Sequence, residues 1–152
     1  MEEAHFTFGG PLKGAPVVTL AAGNLEAEFL PSHGMLCTSL REGKTEILRR
    51  VDDLETAASK GSTAAIPLLH PWANRLSGRR YRAAGVTVPL EGLDLPVDTN
   101  GLPIHGLLAG AAGWRVERHE AVGNGARLAA SFDFGAHDEL MAAFPFPHEL
   151  LL

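Results

Sequence analysis

Two short blocks hold the side chains of this sequence with the widest chemical reach. Residues 66–76, IPLLHPWANRL, run apolar and then turn through Pro71, Trp72, Ala73, Asn74 and Arg75. Residues 101–108, GLPIHGLL, set His105 between apolar flanks. Arginine carries five N–H donors in a rigid planar fork, suited to holding ligand oxygens from one direction. Histidine gives or takes a proton near neutral pH, and the glycine behind His105 lets a ligand or another backbone come close. An arginine, an asparagine and a histidine on an apolar frame suit a small, polar, uncharged ligand. Trp72, Trp114 and Phe144 could add a flat apolar face for a sugar ring, although aromatics in a β protein usually serve the core. The bland alternatives are a surface arginine on a turn and a satisfied structural histidine.

Other chemistry finds less support. The histidines at 5, 33, 70, 105, 119, 137 and 148 form no His-x-His and no HExxH, and a single cysteine builds no zinc set, so no metal is expected. Cys37 lies in an apolar run, where a buried inert thiol is far commoner than a nucleophile, and a lone cysteine forms no internal disulfide. No GxSxG, GxxxxGKS/T or GxGxxG occurs, which removes serine-hydrolase elbows and phosphate loops. A net charge of −5 argues against a nucleic-acid partner, which needs a basic face. The cluster Arg79, Arg80 and Arg82 reads as the solvated side of a hairpin. The acidic start, MEEAHFTFGG, is unlike a secretory signal, and no apolar run reaches the length of a membrane span, so the expected location is the cytoplasm, without a membrane partner.

The elements that must position these side chains read as strands. With 152 residues and 45% hydrophobic content, the chain fits one domain with a core. Residues 25–30, LEAEFL, alternate Leu25, Ala27 and Phe29 against Glu26 and Glu28, the period of a half-buried strand, and Pro31 to Gly34 break it. Residues 35–41 and 45–49 read as a hairpin, which makes the first fifty residues a meander. Residues 51–60 read as a loop or one helical turn, and 66–70 as an apolar strand leading to Arg75. Residues 79–82 and 86–90 flank Ala83-Ala84-Gly85 as a second hairpin, and 91–103 form a long ordered loop of the kind that carries function. The clearest hairpin joins 114–122 to 126–134 through Gly123-Asn124-Gly125, with Leu128, Ala130, Phe132 and Phe134 on one face. A short helical turn fits 137–143, and Phe144-Pro145-Phe146-Pro147 forbids regular structure. The final HELLL reads as the opening of a strand that should continue and pair, since a bare apolar edge invites aggregation.

IPLLHPWANRLSGRRY, then TNGLPIHGLL, then FPFPHELLL resemble the aldose 1-epimerase (galactose mutarotase) family, most of all its bacterial branch with a proline-tryptophan-x-asparagine-arginine turn. LEAEFLPSHGMLCTSLREGKTEILRR is similar to that family's amino-terminal meander, so the resemblance spans nearly the whole chain. It implies an all-β fold, an antiparallel β-sandwich of the galactose mutarotase-like supersandwich type, with residues 1–152 as a single domain and its amino-terminal portion. It implies no metal or organic cofactor.

The resemblance further implies an isomerase that interconverts the α and β anomers of a hexose. A carboxylate takes the proton of the anomeric hydroxyl, a histidine protonates the ring oxygen, and the opened ring recloses on its other face. By the family pattern His105 is the catalytic residue of this chain, beside the ring oxygen. Arg75 binds the sugar hydroxyls, Asn74 supports the site, and Trp72 is its candidate apolar wall. The family's general acid and general base come from its later half, and Glu139, His148 and Glu149 do not match them. The expectation is therefore half a site, inactive alone, whose partners are a small aldose and either a second copy or a complementing carboxy-terminal segment. Two other readings stand beside it: a non-catalytic carbohydrate-binding protein on the same fold, and a truncated product that dimerises through the edge at 150–152.

Overall fold

The structure, a computed structural model, describes residues 15–48 and 65–152. Four strands open the chain: β1 (Val18–Ala22), β2 (Leu25–Leu30), β3 (Leu36–Glu42) and β4 (Thr45–Glu46). They pair antiparallel in chain order, as the meander expected for this region does. The alternation of β2 sets its geometry but not full burial: Leu25 is exposed, and Ala27 and Phe29 are half-buried. Its glutamates are engaged instead, Glu26 and Glu28 both receiving the Arg41 guanidinium of β3. The expected strand at 45–49 shrinks to two residues, with Ile47 still donating to the Leu40 carbonyl at 2.8 Å. The stretch 51–60 lies outside the described residues.

The second half supplies the core. β5 (Arg80–Ala83) and β6 (Val86–Pro89) form a hairpin through Ala84 and Gly85, whose φ values of +46° and +81° match a two-residue turn of the kind that follows strand twist. Arg80 and Arg82 are exposed on it, the solvated placement expected of them, while the half-buried Arg79 donates to the Leu90 carbonyl. β7 (Arg115–Val122), β8 (Gly125–Asp133) and β9 (Glu149–Leu151) form a third antiparallel sheet with β8 at its centre. The period of β8 is realised: Ala130, Phe132 and Phe134 are buried and Leu128 packs against them. Ser131, on the other face, is buried because its hydroxyl donates to Glu117 at 2.6 Å and accepts from Arg115.

Helix α1 (Asp138–Ala143) closes over this core. It buries Leu140 and Ala143 and carries Asp138 and Glu139 in its first turn, where the helix dipole favours negative charge. Tyr81 ties it to β5 by donating its hydroxyl to the Ala143 carbonyl at 2.7 Å, and burial pushes that phenol's pKa up to about 12. The core joins Val88 and Leu90 of the β5–β6 hairpin to Leu107, Leu108 and Trp114, to Phe132 and Phe134, and to Leu140. The first sheet docks on the third, with His119 of β7 donating to the Thr19 carbonyl at 2.8 Å. Among the described residues the fold is all-β and antiparallel apart from this short helix and two 3-10 turns. Among the described residues no helix is long and apolar enough to cross a membrane.

A glycine holds the meander to the rest. Gly34, φ +68°, follows the 3-10 turn Pro31–His33 and donates to the Ala111 carbonyl at 2.8 Å. A Cβ there would come within 3.0 Å of the Leu108 carbonyl oxygen and the Gly110 nitrogen. Gly43 has a similar φ, +58°, with nothing near its missing Cβ. Conformational strain alone is expected to cost Gly43→Ala about 1 kcal/mol, whereas Gly34→Ala also forces two backbones apart and should cost about 3 kcal/mol or more. Urea unfolding of both variants measures the difference, and equal losses would show that the close approach is not sustained in solution.

Candidate functional site

The two chemically promising blocks meet as neighbouring extended segments outside any sheet. The run at 66–70 is not a strand: Ile66 makes a single bridge to Cys37, and the chain passes through the cis peptide His70–Pro71 into the turn. Arg75 then bridges Ile104 antiparallel. Leu76 donates to the Pro103 carbonyl at 2.9 Å, and His105 to the Asn74 carbonyl at 3.3 Å. The spacing of thirty residues in sequence thus becomes adjacency in space.

Arg75 is anchored at one end. Its Nε donates to Asp98 Oδ2 at 2.8 Å, and its side chain remains 52% exposed against 7% for Asp98. Among the described residues the two Nη groups have no further partner, so the outer part of the fork faces outward with its four N–H donors. Asn74 shapes the turn, its Oδ1 accepting the Arg75 N–H at 2.9 Å. Asp98 is itself held in the 91–103 loop: Oδ1 accepts from the amides of Asn100 and Leu102 at 2.8 and 3.0 Å. These bonds, the Leu102 amide first and Arg75 with it, hold its carboxyl below the usual carboxylate range.

His105 is the strained element. Its φ of +65° is unusual for a side chain with a Cβ, and Gly106 continues at +72°. An ideal pleat would set Arg75 and His105 on opposite faces, because Asn74 rather than Arg75 stands across from His105. The left-handed turn takes His105 out of that alternation. Its Nδ1–H donates to the Ala73 carbonyl at 3.2 Å, and Nε2 has no hydrogen-bond partner among the described residues. Strain of this kind persists only where the surroundings over-determine it. Here they do so through Gly106, packed against His70: a Cβ would fall within 3.0 Å of the His70 N, C and O atoms. Leu107 then donates to the His70 carbonyl at 2.6 Å.

Trp72 sits deeper than Arg75 and His105. Its ring packs against the core cluster and lies 6.1 Å from Tyr81, and its buried indole N–H has no partner among the described residues. Trp114 belongs to the core outright, 5.3 Å from Phe132. Cys37 is buried and its thiol is pushed up by desolvation, in keeping with an inert role. Among the described residues no three His, Cys, Asp or Glu side chains gather as a metal set. A separate cavity of about 240 Å³ between the 93–95 segment and α1 is walled by leucines with Asp94 and Glu139, and holds none of the residues singled out above.

Sequence reasoning missed three participants. Asp98 was legible only as part of a polar loop, although an Asp two residues before an Asn and four before a Leu in a Gly-containing turn is a local acceptor signature. His70 was weighed only as a metal ligand, and His148 as a metal ligand and as a match to the family's acid and base, which it is not. They meet instead as a hydrogen-bonded pair, Nε2 to Nε2 at 2.8 Å, among Phe134 and Phe144.

Comparison with known proteins bears on this geometry. The family model described as aldose 1-epimerase matches residues 16–152. Solved structures of the same fold include a galactose mutarotase-like protein from Clostridium acetobutylicum, 24% identical, with a TM-score of 0.72 over 88% of this chain and 40% of its own. A protein of Synechocystis sp. PCC 6803 is 23% identical, with a TM-score of 0.64 over 99% of this chain and 46% of its own. The chain therefore spans less than half the length of these structures. A search of curated proteins found no match.

Two consequences can be measured. Gly106→Ala should cost about 2–3 kcal/mol through left-handed strain and collision with His70, and should shift the His105 ring resonances by NMR; unchanged resonances would contradict the contact. Asp98 has a lowered folded pKa, so its contribution is complete above the ordinary carboxylate range and is lost as pH falls through the folded value. Protection of the Leu102 amide should accordingly fall in that acid range and stay flat with pH in Asp98→Asn. A wild-type profile as flat as the variant's would refute the carboxylate anchor.

Proposed function

The chain belongs to the aldose 1-epimerase family, and on that footing we propose that Arg75 and His105 bind a free hexose and form the binding half of a mutarotase site. The observation that carries this reading is the antiparallel pairing of the Asn74–Arg75 and Ile104–His105 segments, which brings onto neighbouring segments a guanidinium and an imidazole whose Nη groups and Nε2 have no hydrogen-bond partner among the described residues. The Arg75 fork donates to sugar hydroxyls. With Nδ1–H given to Ala73, a neutral His105 ring offers the Nε2 lone pair to a hydroxyl, and the imidazolium offers an Nε2–H to the ring oxygen. Asn74 supports the turn, and Trp72 backs it as an apolar wall. Residues 1–152 act as one domain in this reading.

Ring opening needs a base at the anomeric hydroxyl and an acid at the ring oxygen. Asp98, the carboxylate that touches Arg75, is a poor base: both its oxygens accept hydrogen bonds, and they favour its charged form. The acid and base are thus other residues, which the family pattern places after this stretch of sequence. By itself the chain binds sugar without turning it over. The same observation favours, as a second reading, a carbohydrate-binding protein on this fold that performs no catalysis.

Polarimetry on freshly dissolved α-galactose, with and without the protein, separates the outcomes. The expected result is no acceleration over the spontaneous rate, together with galactose-induced NMR shifts at Arg75 and His105. Arg75→Ala and His105→Ala should each weaken binding about tenfold, the loss of roughly one charge-assisted hydrogen bond. Binding unchanged by both variants would overturn the site. Acceleration that disappears in His105→Asn would overturn the half-site and place the acid and base within the chain or across an oligomer.

A further inference from the structure

We infer that His70 and His148 form a proton-sensitive latch that holds the His105–Gly106 turn, so that the site is assembled at neutral pH and loosened in mild acid. The inference rests on the reading of Arg75 and His105 as a sugar site, and it makes His70 and His148 positioning residues for that site.

The tautomers follow from the contacts. His148 Nδ1 lies 2.6 Å from the Phe146 carbonyl oxygen, so it carries the proton and leaves Nε2 as an acceptor. His70 Nε2, 2.8 Å from His148 Nε2, must then be the donor. The pair is wedged among aromatics: His148 stacks on Phe134 at 4.6 Å, and His70 meets Phe134 and Phe144 edge-on at 5.7 and 6.2 Å. The ring that His148 holds and the backbone that holds the turn belong to one residue. The His70 carbonyl accepts the Leu107 N–H, and the His70 main chain is the wall against which Gly106 sits. A shift of His70 therefore moves the turn that carries His105.

Protonation acts on this arrangement in two steps. The first added proton goes to His70 Nδ1, because the other ring nitrogens are already protonated or accepting. It keeps the hydrogen bond but places a cation among phenylalanines. A second proton, on His148 Nε2, would face the His70 Nε2–H and break the bond. Among the described residues no opposite charge relieves the first step. Tyr81, from β5, has a phenol that stays neutral. Asp133 and Glu149, flanking Phe134 and His148 in the β8–β9 register, are exposed, and Glu149 pairs with Arg115. From α1 and its cap, His137 and Glu139 pair with each other. Burial first, and then His148, accordingly lower the pKa of His70. A lowered value means that the folded chain binds fewer protons than the unfolded one. The latch is fully effective above about pH 6.5, the ordinary histidine value, and weakens as pH falls below it.

The test is amide exchange of Leu107 in the full chain, corrected for intrinsic pH dependence, between pH 7.5 and 5.0, with the histidine rings titrated by NMR on the same samples. Protection should fall about tenfold, the effect of one pH unit on a single linked proton, beginning near the ordinary histidine value and levelling off at the midpoint of the His70 ring. His70→Gln/His148→Gln keeps a donor and an acceptor but nothing that titrates, and should hold protection flat with pH. Flat wild-type protection, a fall outside that window, or a Gln pair that remains pH-dependent would each overturn the latch. Galactose binding on the same samples reads the sugar site independently: no binding at any pH would sink that assignment while the Leu107 profile still judged the latch.

Discussion

The main chain of Gly106 lies so close to that of His70 that no side chain fits between them, and the geometry of the candidate site depends on that contact. It brings the end of one segment against the start of another, lets Leu107 donate to the His70 carbonyl, and sustains a left-handed His105. The conformational cost at His105, about 1 kcal/mol or more for a residue with a Cβ, is offset by neighbours and not by any contact of its own along the chain. Site geometry here is a product of packing.

A second close approach works on the other side of the same segment. Gly34, at the end of the first sheet, abuts the main chain of Leu108 and Gly110. The stretch from His105 to Ala111 is therefore held by Gly34 at Leu108 and Gly110 and by the His70 main chain at its own Gly106, with Leu107 and Leu108 buried. Burial of two leucines supplies about 3–6 kcal/mol of transfer free energy, which explains how a loop without regular structure can be an ordered platform. His105 stands at the start of that platform.

Electrostatics sorts the side chains along the same lines. Asp98, 7% exposed, gives one oxygen to Arg75 and the other to two amides, so the arginine is aimed by a carboxylate that is itself aimed by backbone. Surface pairs such as Arg118 with Glu120 lie at 3.9 Å and are exposed, a class that contributes little to stability. The charges of β7 stand on an exposed strand, whereas Asp98 of the 91–103 loop orients Arg75.

Much of this molecule was legible in its residues. Turn chemistry and period-two alternation located the hairpins at 80–89 and 115–133 and the core face of β8, because those signals are local and act within a few residues. Arg75 and His105 stood out because their types are chemically capable and their flanks apolar. Local signals also misled: the apolar run at 66–70 reads as a strand, yet among the described residues it makes only one bridge, at Cys37, and strand identity depends on a partner. The sequence by itself determined an all-β antiparallel chain and which residues could do chemistry. Only the tertiary structure decided that Asp98 anchors Arg75, that His70 meets His148, and that Gly106 is held against His70. Each of these is a contact between residues 23 to 78 positions apart, set by how separate segments pack, and no local pattern of residue types encodes such a meeting.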